Sequence, residues 1–449
     1  DEAIALLRWV EGAHFVFLGY RYNALQRGTE FDKLRPEAAS GLGILRAGHG
    51  AAPEVETLQG ARRNAMHDAD LLLVSKSPLR ATVHRAGYLD HLAIKDFDAR
   101  GRVRGEHRFL GLWTSTAYFA SPADIPVVRR KVAAVVQRFG LDPQSHDGKA
   151  VLAVLETWPR DELFQASVDE LVDFVRAAVN LYERRTTRLM LRHDVLGRFW
   201  SCMVFVPRDR YTTEVRLRIE GLLREHCGGD AVESDVQIAL SHHARLHITV
   251  RGGEHQPVQL EVAALEAAIG AAVATWTDRL RETLLNALPA GRAMELFARY
   301  AHRFPAAYTS EESPSAALAD LHTLEALDAA TDTPQWRLHR PPGVPPHGLH
   351  LRVAKFGGAL PIADLLPLLE NFGLRMLAER PWALSGGVAG HPPAPTPPIA
   401  LQDFVLEVGG GAAFELAEDG PRLLEALAAV RDGSLENDGF NRLVLRARL

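Results

Sequence analysis

Hydrophobic and polar positions change their period several times along the chain, which predicts a mixture of strands and helices. Residues 14–20 combine aromatic and β-branched side chains, a composition typical of a buried strand. Residues 92–113 hold two apolar runs on either side of Asp98-Ala-Arg-Gly101, which predicts a hairpin turning at that tetrapeptide. Apolar positions then recur every three or four residues and predict three helices, the first starting at Ser121 and the third at a Ser167–Glu170 capping box.

Two later stretches share one order of elements: strand, helix, strand, strand, helix. The strands are expected near 201–206, 234–240 and 245–251, and again near 349–353, 374–378 and 399–408. The helices are expected at 213–225, from 258, at 362–370 and near 422, with Gly228-Gly229 and Gly373 ending the first helix of each stretch. Closed by one more strand, this order gives the split βαβ or ferredoxin-like βαββαβ fold. The sequence therefore predicts an α+β protein with this sheet twice, one face of each sheet being free for a ligand or another sheet.

The helical pattern that starts near Val258 continues to Leu284, with apolar residues at steps of three and four. We expect one long helix between two domains, with Gly270 as its weakest point because glycine costs stability inside a helix.

Length and charge restrict the class of protein. The chain has 449 residues, which corresponds to about three domains at roughly 150 residues each. Its 51 basic and 56 acidic residues give a net charge of −5, which does not fit a dedicated nucleic-acid binder. No apolar run approaches the ~18 residues of a membrane span, so no membrane partner is expected. Two cysteines, Cys202 and Cys227, make no disulfide framework and favour a reducing cytoplasm. Because the chain begins Asp-Glu-Ala-Ile, without Met, we expect a piece of a longer protein.

Sequence motifs for catalysis are missing from the chain. Gly41-Leu-Gly43 and Gly409-Gly-Gly411 lack the third glycine of a dinucleotide-binding turn. Gly148-Lys149 is followed by Ala150, where a phosphate-binding loop has serine or threonine. We therefore expect no catalytic residue and no cofactor within this chain.

Candidate ligand-binding residues lie in two loops that follow the first strand of each repeated stretch. In a βαββαβ unit this loop leads into a helix N-terminus, where free N–H groups favour a carboxylate or phosphate. The candidates are Arg208, Asp209, Arg210, Lys355, Gly357 and Gly358. The alternative is that both segments are tight turns without a ligand.

Other reactive side chains are assigned to structural or solvated positions, and no metal site is predicted. His243 and His247 would share a strand face about 13 Å apart without a third ligand, so a surface histidine pair is expected. A solvated surface is also expected for His339, His347 and His350, around a proline-rich turn. Arg184, Arg185, Arg188 and Arg192 are interpreted as a solvated face or intersubunit ion pairs, with anion binding as the alternative. Cys202 is expected to be buried and inert, and Cys227 to be a plain helix-end residue or a thiol of lowered pKa.

Several strings of residues, in order along almost the whole chain, resemble the large bacterial NAD-specific glutamate dehydrogenases. Each string alone is weak evidence for this resemblance, but the whole set in this order is specific to the family. They are His14-Phe-Val-Phe-Leu-Gly-Tyr20, Thr82-Val-His-Arg-Ala-Gly-Tyr-Leu-Asp90, Arg108-Phe-Leu-Gly-Leu-Trp-Thr-Ser115, Ser145-His-Asp-Gly-Lys149, Pro159-Arg-Asp-Glu-Leu-Phe-Gln165, Val206-Pro-Arg-Asp-Arg-Tyr211, Phe304-Pro-Ala-Ala-Tyr308 and Glu370-Asn-Phe-Gly-Leu-Arg375.

The resemblance implies tandem ACT-like domains joined by helical segments, with the NAD-binding dehydrogenase core later in the parent chain. The implied divisions are an ACT-like domain at 1–120, a helical segment at 121–186, a second ACT-like domain at 187–275, a helical connector at 276–332, a third ACT-like domain at 333–433 and the start of the lead to the catalytic core at 434–449.

Two hypotheses follow for function. In the first, the chain is a non-catalytic regulatory and oligomerisation segment, whose partners are its own catalytic domain, other copies of the chain and a small amino-acid effector. The parent enzyme would convert L-glutamate, NAD and water to 2-oxoglutarate, ammonia and NADH. In the alternative, the chain is a purely structural assembly module with no ligand. An independent enzyme would need a nucleophile or a paired acid and base in a cleft, which the sequence does not offer.

Overall fold

The computed structural model describes residues 1–46, 55–84, 87–181, 186–238, 242–252, 260–328, 331, 333–385 and 398–446. These residues form two compact units, Asp1–Val273 and Ala274–Leu449. Over the described ranges, no helix combines the length and the apolar character that crossing a membrane requires.

The first unit opens with a seven-stranded antiparallel sheet. Its elements are α1 (Glu2–Trp9), β1 (Phe15–Gln26), β2 (Asp32–Pro36), β3 (Leu42–Gly43), β4 (Glu56–Leu58), α2 (Gly60–His67), β5 (Leu72–Ala81), β6 (Gly87–Phe97), β7 (Val103–Trp113) and α3 (Ser115–Phe119). The strand order is β4-β2-β1-β7-β6-β5, with β3 paired to β1. The hairpin predicted at Asp98–Gly101 is confirmed: the Asp98 N–H donates to the Arg102 carbonyl at 2.8 Å, and Gly101 has φ +72°.

Four helices follow the first sheet: α4 (Val128–Phe139), α5 (His146–Thr157), α6 (Arg160–Gln165) and α7 (Val168–Leu181). The predicted capping box is confirmed, because the Ser167 N–H donates to Glu170 Oε2 and the Glu170 N–H donates to Ser167 Oγ. The predicted helix start at Ser121 is wrong. The helix begins at Val128, after Pro126, which lacks a backbone donor, and after Val127, whose φ is +70°.

The two repeated stretches form four-stranded antiparallel sheets of identical order. The first contains β8 (Arg188–His193), β9 (Phe199–Pro207), α8 (Thr213–His226), β10 (Ala231–Ile238), β11 (His243–Arg251) and α9 (Val262–Val273). The second contains β12 (Gln335–His339), β13 (Gly348–Phe356), α14 (Ile362–Asn371), β14 (Leu374–Leu384), β15 (Ile399–Val408) and α15 (Asp419–Asp432). The orders are β10-β11-β9-β8 and β14-β15-β13-β12. The tandem α+β arrangement is thereby confirmed.

The closing strand of each sheet differs from the prediction. It comes before the first strand of the motif, not after the second helix: β8 and β12 form hairpins with β9 and β13 and fill the edge position. A tight turn with Gly197 at φ +68° joins β8 to β9, so this pairing is local and needs no chain crossing. The predicted helix ends at Gly228-Gly229 and at Gly373 are confirmed. Gly228 and Gly373 both have positive φ, so Gly228 rather than Gly229 is the equivalent of Gly373.

The predicted long helix from Val258 to Leu284 is broken. The helix α9 ends at Val273, and α10 (Trp276–Ala287) starts at a second capping box formed by Thr275 and Asp278. Its apolar stripe is divided between two cores: Leu265, Ile269 and Val273 pack beneath the second sheet, whereas Leu280 and Leu284 join the core of the second unit. The break lies at residues 274–275, where the polar cap forms, and not at Gly270.

The second unit begins with helices α10, α11 (Ala290–Tyr300), α12 (Ala306–Glu311) and α13 (Pro314–Glu325), and it ends with α16 (Leu443–Arg446). The helices α10 to α13 cover the face of the β12–β15 sheet that does not contact α14 and α15, with Leu401 and Trp382 packed against Tyr308 and Leu321. The helix α16 packs instead with α15. In the first unit, Met190 and Met203 of the β8–β11 sheet pack likewise against Trp158 and Val175. The prediction that the second face of each sheet is free is therefore wrong.

Candidate functional site

The two candidate loops occupy equivalent places in the two repeated sheets. Arg208, Asp209 and Arg210 form a single 3-10 turn between β9 and α8. Lys355 lies near the end of β13, and Gly357 and Gly358 follow before α14. Arg208, Asp209 and both glycines are exposed, whereas Arg210 and Lys355 are half-buried. Each loop thus places cationic side chains ahead of a helix N-terminus, in separate units of the chain.

Backbone groups of these loops are already partly engaged. The Arg208 N–H donates to the His242 carbonyl, and Thr212 caps α8 by accepting the Val215 N–H at 3.1 Å. The Gly357 N–H donates to the Pro398 carbonyl at 2.8 Å, and Gln402 Oε1 accepts the Leu360 N–H at 2.7 Å. These hydrogen bonds hold both loops in defined positions. Such order is compatible with both interpretations, a preorganised ligand site and a tight turn without a ligand.

The two glycines of the second loop have different roles. Gly357 has φ +82°, a conformation that other residues adopt only with strain. Gly358 has no such conformation, and a Cβ at either glycine would meet open space. Within the described part of the chain, nothing occupies the side of either glycine on which a Cβ would lie.

A buried charge network, absent from the sequence-based candidates, joins the β8–β11 sheet to helix α6. We call it the Glu162 network; it consists of Glu162, Arg192, Ser201 and His247. The Arg192 guanidinium donates to both carboxylate oxygens of Glu162, at 2.9 and 2.8 Å. Ser201 Oγ donates to Glu162 Oε1 at 2.8 Å, and His247 Nε2 lies 3.0 Å from Ser201 Oγ. Glu162 and Arg192 are both 3% exposed, so this ion pair is desolvated.

Burial alone would raise the pKa of Glu162. The Arg192 guanidinium and the hydrogen bonds from His247 and Arg192 outweigh burial and hold that pKa well below its ordinary value. The pKa of Arg192 is raised by the same partnership, although its own burial opposes the charge. Glu162 is therefore an anchoring carboxylate that stays ionised, rather than an acid–base catalyst.

A second buried network lies on the equivalent sheet face of the second unit. We call it the Arg352 network; it consists of Arg352, Asp320, Asp403, Glu312, Arg337 and Tyr308. Arg352 is 1% exposed and lies 2.9 Å from Glu312, 3.3 Å from Asp320 and 3.7 Å from Asp403. Arg337 also pairs with Asp320, to which Tyr308 donates its hydroxyl at 2.6 Å. The Arg352 guanidinium lies over the ring of Trp382 at 4.9 Å from the ring centroid.

The prediction of a solvated surface around the proline-rich turn is wrong for His339 and His350. His350 is 6% exposed, and its Nδ1 lies 2.8 Å from Asp403 Oδ2. His339 is half-buried beside it, and burial together with Arg337 lowers the pKa of His339 to about 3. His350 Nδ1 hydrogen-bonds the Asp403 carboxylate, and this bond and Arg352 keep the pKa of Asp403 below its ordinary value despite burial.

The other predicted surface residues also have different positions. Arg192 is the buried partner of Glu162, whereas Arg188 is half-exposed and pairs with Glu266 at 2.8 Å. Arg184 and Arg185 lie outside the described residues. His243 and His247 do lie on one strand, but His243 is 5% exposed and its Nε2 lies 3.2 Å from the Thr186 carbonyl. The surface assignment is therefore wrong for His243 and Arg192.

The two cysteines are both buried and hydrogen-bonded to each other. This bond and burial raise the pKa of the Cys202 thiol, while the hydrogen bond lowers the pKa of Cys227. The expectation of a buried Cys202 is confirmed. Cys227 is a buried helix-end residue, at the C-cap of α8, whose thiol pKa is lowered by the hydrogen bond with Cys202.

Comparison with known proteins gives four family matches along the chain. Residues 125–184 match "Glutamate dehydrogenase, helical motif 1", and residues 188–277 match "Glutamate dehydrogenase, ACT2 domain". Residues 283–327 match helical motif 2, and residues 333–418 match the ACT3 domain of the same family.

Curated relatives agree with these matches. The chain is 33% identical to the NAD-specific glutamate dehydrogenase of Halomonas elongata and 32% identical to that of Pseudomonas aeruginosa, in both cases over 100% of the chain and 27% of the relative. Identity to the Mycobacterium tuberculosis protein of the same name is 30%, over 99% of the chain and 26% of that protein. The chain belongs to the NAD-specific glutamate dehydrogenase family. It spans about a quarter of the length of these relatives.

The family matches show that both networks connect the same two kinds of domain. Glu162 lies in helical motif 1, and its partners Arg192, Ser201 and His247 lie in the ACT2 domain. Asp320 lies in helical motif 2, and Arg352 and Asp403 lie in the ACT3 domain. Each network therefore ties one helical motif to the ACT domain that follows it.

Sequence reasoning missed these networks although one signal was present. In β13, His350 and Arg352 alternate with Leu349, Leu351 and Val353, a period of two that marks two different faces. Alternation alone does not show whether the polar face meets water or carboxylates of another element. Asp403 and Arg192 are likewise charges directly beside apolar runs, Phe404-Val-Leu406 and Leu189-Met-Leu191, and this position indicates burial.

Proposed function

We propose that this chain is a non-catalytic regulatory and assembly segment of an NAD-dependent glutamate dehydrogenase. The parent enzyme oxidises L-glutamate with NAD and water to 2-oxoglutarate, ammonia and NADH, with NAD bound in a catalytic region outside this chain. Its partners are that catalytic region and other copies of the chain, in the cytoplasm. The observation that carries the proposal is the pairing of each ACT domain with a helical motif through a desolvated charge network.

This pairing supports mechanical coupling between a helical motif and an ACT domain rather than a catalytic site. A carboxylate such as Glu162, fixed by an arginine and two further donors, cannot take up protons near neutral pH, whereas a general base needs a pKa near the working pH. Breaking one partner of a buried ion pair is strongly destabilising, so helical motif and ACT domain are expected to move as one body. Such a body can transmit a displacement from a ligand site to the rest of a large enzyme.

The ligand sites of this proposal are two separate loops, Arg208–Arg210 and Lys355–Gly358, and the effector is a small amino acid. Cationic side chains and a helix N-terminus favour its carboxylate. For allostery, the effector must bind two states of the enzyme with different affinity. A thermal-shift panel of the twenty amino acids, 2-oxoglutarate and nucleotides tests this. At about 100 times its Kd, a true effector adds about 2.7 kcal/mol to the free energy of unfolding.

The variants Arg208→Ala and Lys355→Ala should lose the shift, whereas Arg138→Ala, an exposed arginine on α4, should keep it. The alternative, a purely structural assembly module without ligand, is favoured by the helices that cover both sheet faces. A flat panel supports that alternative. If deletion of residues 1–449 from the parent enzyme leaves its oligomeric state and effector response unchanged, both forms of the proposal fail.

A further inference from the structure

Three potential metal ligands from three adjacent strands meet on the polar face of the β12–β15 sheet. They are His339 on β12, His350 on β13 and Asp403 on β15. His339 and His350 are direct register partners, and their ring centroids are 5.2 Å apart. One ligand atom from each of the three residues lies within 4.8 Å of the other two. Strands hold such atoms more precisely than loops do.

Two atoms of this cluster have no hydrogen-bond partner despite their burial. They are His339 Nδ1 and Asp403 Oδ1. The second carboxylate oxygen of Asp403 is used, because it lies 2.8 Å from His350 Nδ1. An unpaired buried polar atom is costly, and each one in a folded protein calls for an explanation. Here a nitrogen and an oxygen without hydrogen bonds occur in the same group of potential ligands, and the oxygen, Asp403 Oδ1, also lies 3.7 Å from Arg352 Nε.

The surrounding charges tolerate an added cation. Arg337 and Arg352 are the cations of the adjacent network, and Asp320, Asp403 and Glu312 are its carboxylates. With neutral imidazoles, three negative charges therefore face two positive ones. The net charge of this group is therefore one negative charge, and a bound divalent ion would change it to one positive charge.

From this geometry we propose that His339, His350 and Asp403 bind a first-row divalent cation, zinc being the best fit. Two imidazoles and one carboxylate form a common zinc ligand set, with a fourth position left for water. Ligand distances around zinc are about 2.0–2.2 Å, so the ion takes the place of the His350–Asp403 hydrogen bond and draws His339 inward. The ion then joins the edge strand β12 to β15 across β13.

The test is metal binding by the full 449-residue chain after chelator treatment. Zinc stoichiometry is measured after dialysis, affinity by titration against a competing chelator, and coordination from the visible absorption of Co²⁺ added in place of zinc. The wild-type chain is expected to bind one equivalent and to give the absorption of a four-coordinate Co²⁺ site. His339→Ala should weaken zinc binding at least about 100-fold, since even outer-shell changes cost 10–100-fold.

His347→Ala is the matched control, because His347 also flanks the proline-rich turn but is not among the three residues. It should bind zinc as the wild type does. His350→Asn is a second ligand variant. If His350→Asn does not fold, the zinc affinity of His339→Ala decides the result, because His339 is only half-buried. Circular dichroism shows whether His339→Ala is folded. Absence of a stoichiometric wild-type site, or equal zinc affinity of wild type and His339→Ala, overturns the proposal.

Discussion

Asp161 and Glu162 are neighbours in α6, yet their carboxylates form ion pairs with two different sheets. Asp161 lies 3.0 Å from Lys76 on β5, while Glu162 binds Arg192 on β8. Lys76 also pairs with Asp90, which accepts the Trp113 N–H at 2.9 Å. One six-residue helix thereby fixes both sheets of the first unit. Both carboxylates belong to the string Pro159–Gln165 that marks the family resemblance, so that string has a structural role.

The first prediction concerns the Glu162–Arg192 pair. Glu162→Gln leaves a buried guanidinium without its counter-charge and should lower the free energy of unfolding of the first unit by about 3 kcal/mol. Urea denaturation followed by circular dichroism measures this. Asp169→Asn is the matched control, because its ion pair with Arg138 is exposed, at 77% and 61%. The control should cost less than about 1 kcal/mol, and equal losses in both variants would contradict the assignment.

The second prediction concerns pH. The pKa of Glu162 is lower in the folded than in the unfolded chain, so the unfolded chain binds more protons in acid. The same holds for Glu56, whose pKa Arg108 and Arg198 lower although burial opposes them. This stabilisation is complete above the ordinary glutamate value of 4.5 and is lost as pH falls below it. The difference between the urea midpoints of wild type and Glu162→Gln should therefore stay constant from pH 6 to pH 5 and shrink as pH falls from 4.5 to 3. A difference that stays constant over the whole range would refute the linkage.

The third prediction isolates one hydrogen bond of the Arg352 network. Tyr308→Phe removes the donor to the buried Asp320 but keeps the ring, which packs against Phe304 and Trp382. A lost hydrogen bond to a buried charge should cost about 1.5–3 kcal/mol in the second unit.

Tyr300→Phe provides the comparison for that variant. Its hydroxyl donates to Glu325, which keeps Arg292 and Arg299 as partners and is partly exposed. Its cost in the same denaturation experiment should be smaller than that of Tyr308→Phe. A reversed order would show that Asp320 does not depend on Tyr308.

The fourth prediction concerns the second candidate loop. Gly357→Ala places a Cβ on a residue with φ +82° and should destabilise the second unit by about 1–2 kcal/mol. Gly358→Ala meets open space without positive φ and should change stability by less than about 0.5 kcal/mol. Thermal melting of the two variants, measured in parallel, checks this difference. Equal stability of both would mean that the loop relaxes around residue 357.

Local features of the fold could be predicted because their causes lie within a few residues. The Ser167–Glu170 capping box joins groups three positions apart, and the Asp98–Gly101 turn closes over four residues. Residues Thr275 and Asp278 form a box of the same kind that was not recognised, so one long helix was predicted where two exist. The apolar stripe continues across residues 274–275 because α9 and α10 both bury apolar residues, although each does so in a different core.

The sequence by itself determined the order of strands and helices in both repeated stretches, the positions of the two candidate loops and the family. Only the tertiary structure decided which strand closes each sheet and what covers its second face. His350 and Asp403 are 53 positions apart, and Ser75 bonds Asp194 across 119. Alternation within a strand depends on neighbouring residues and so is visible in the sequence. Whether its polar face meets water or an oppositely charged helix depends on distant segments, since burial stabilises such charges only where their partners arrive together.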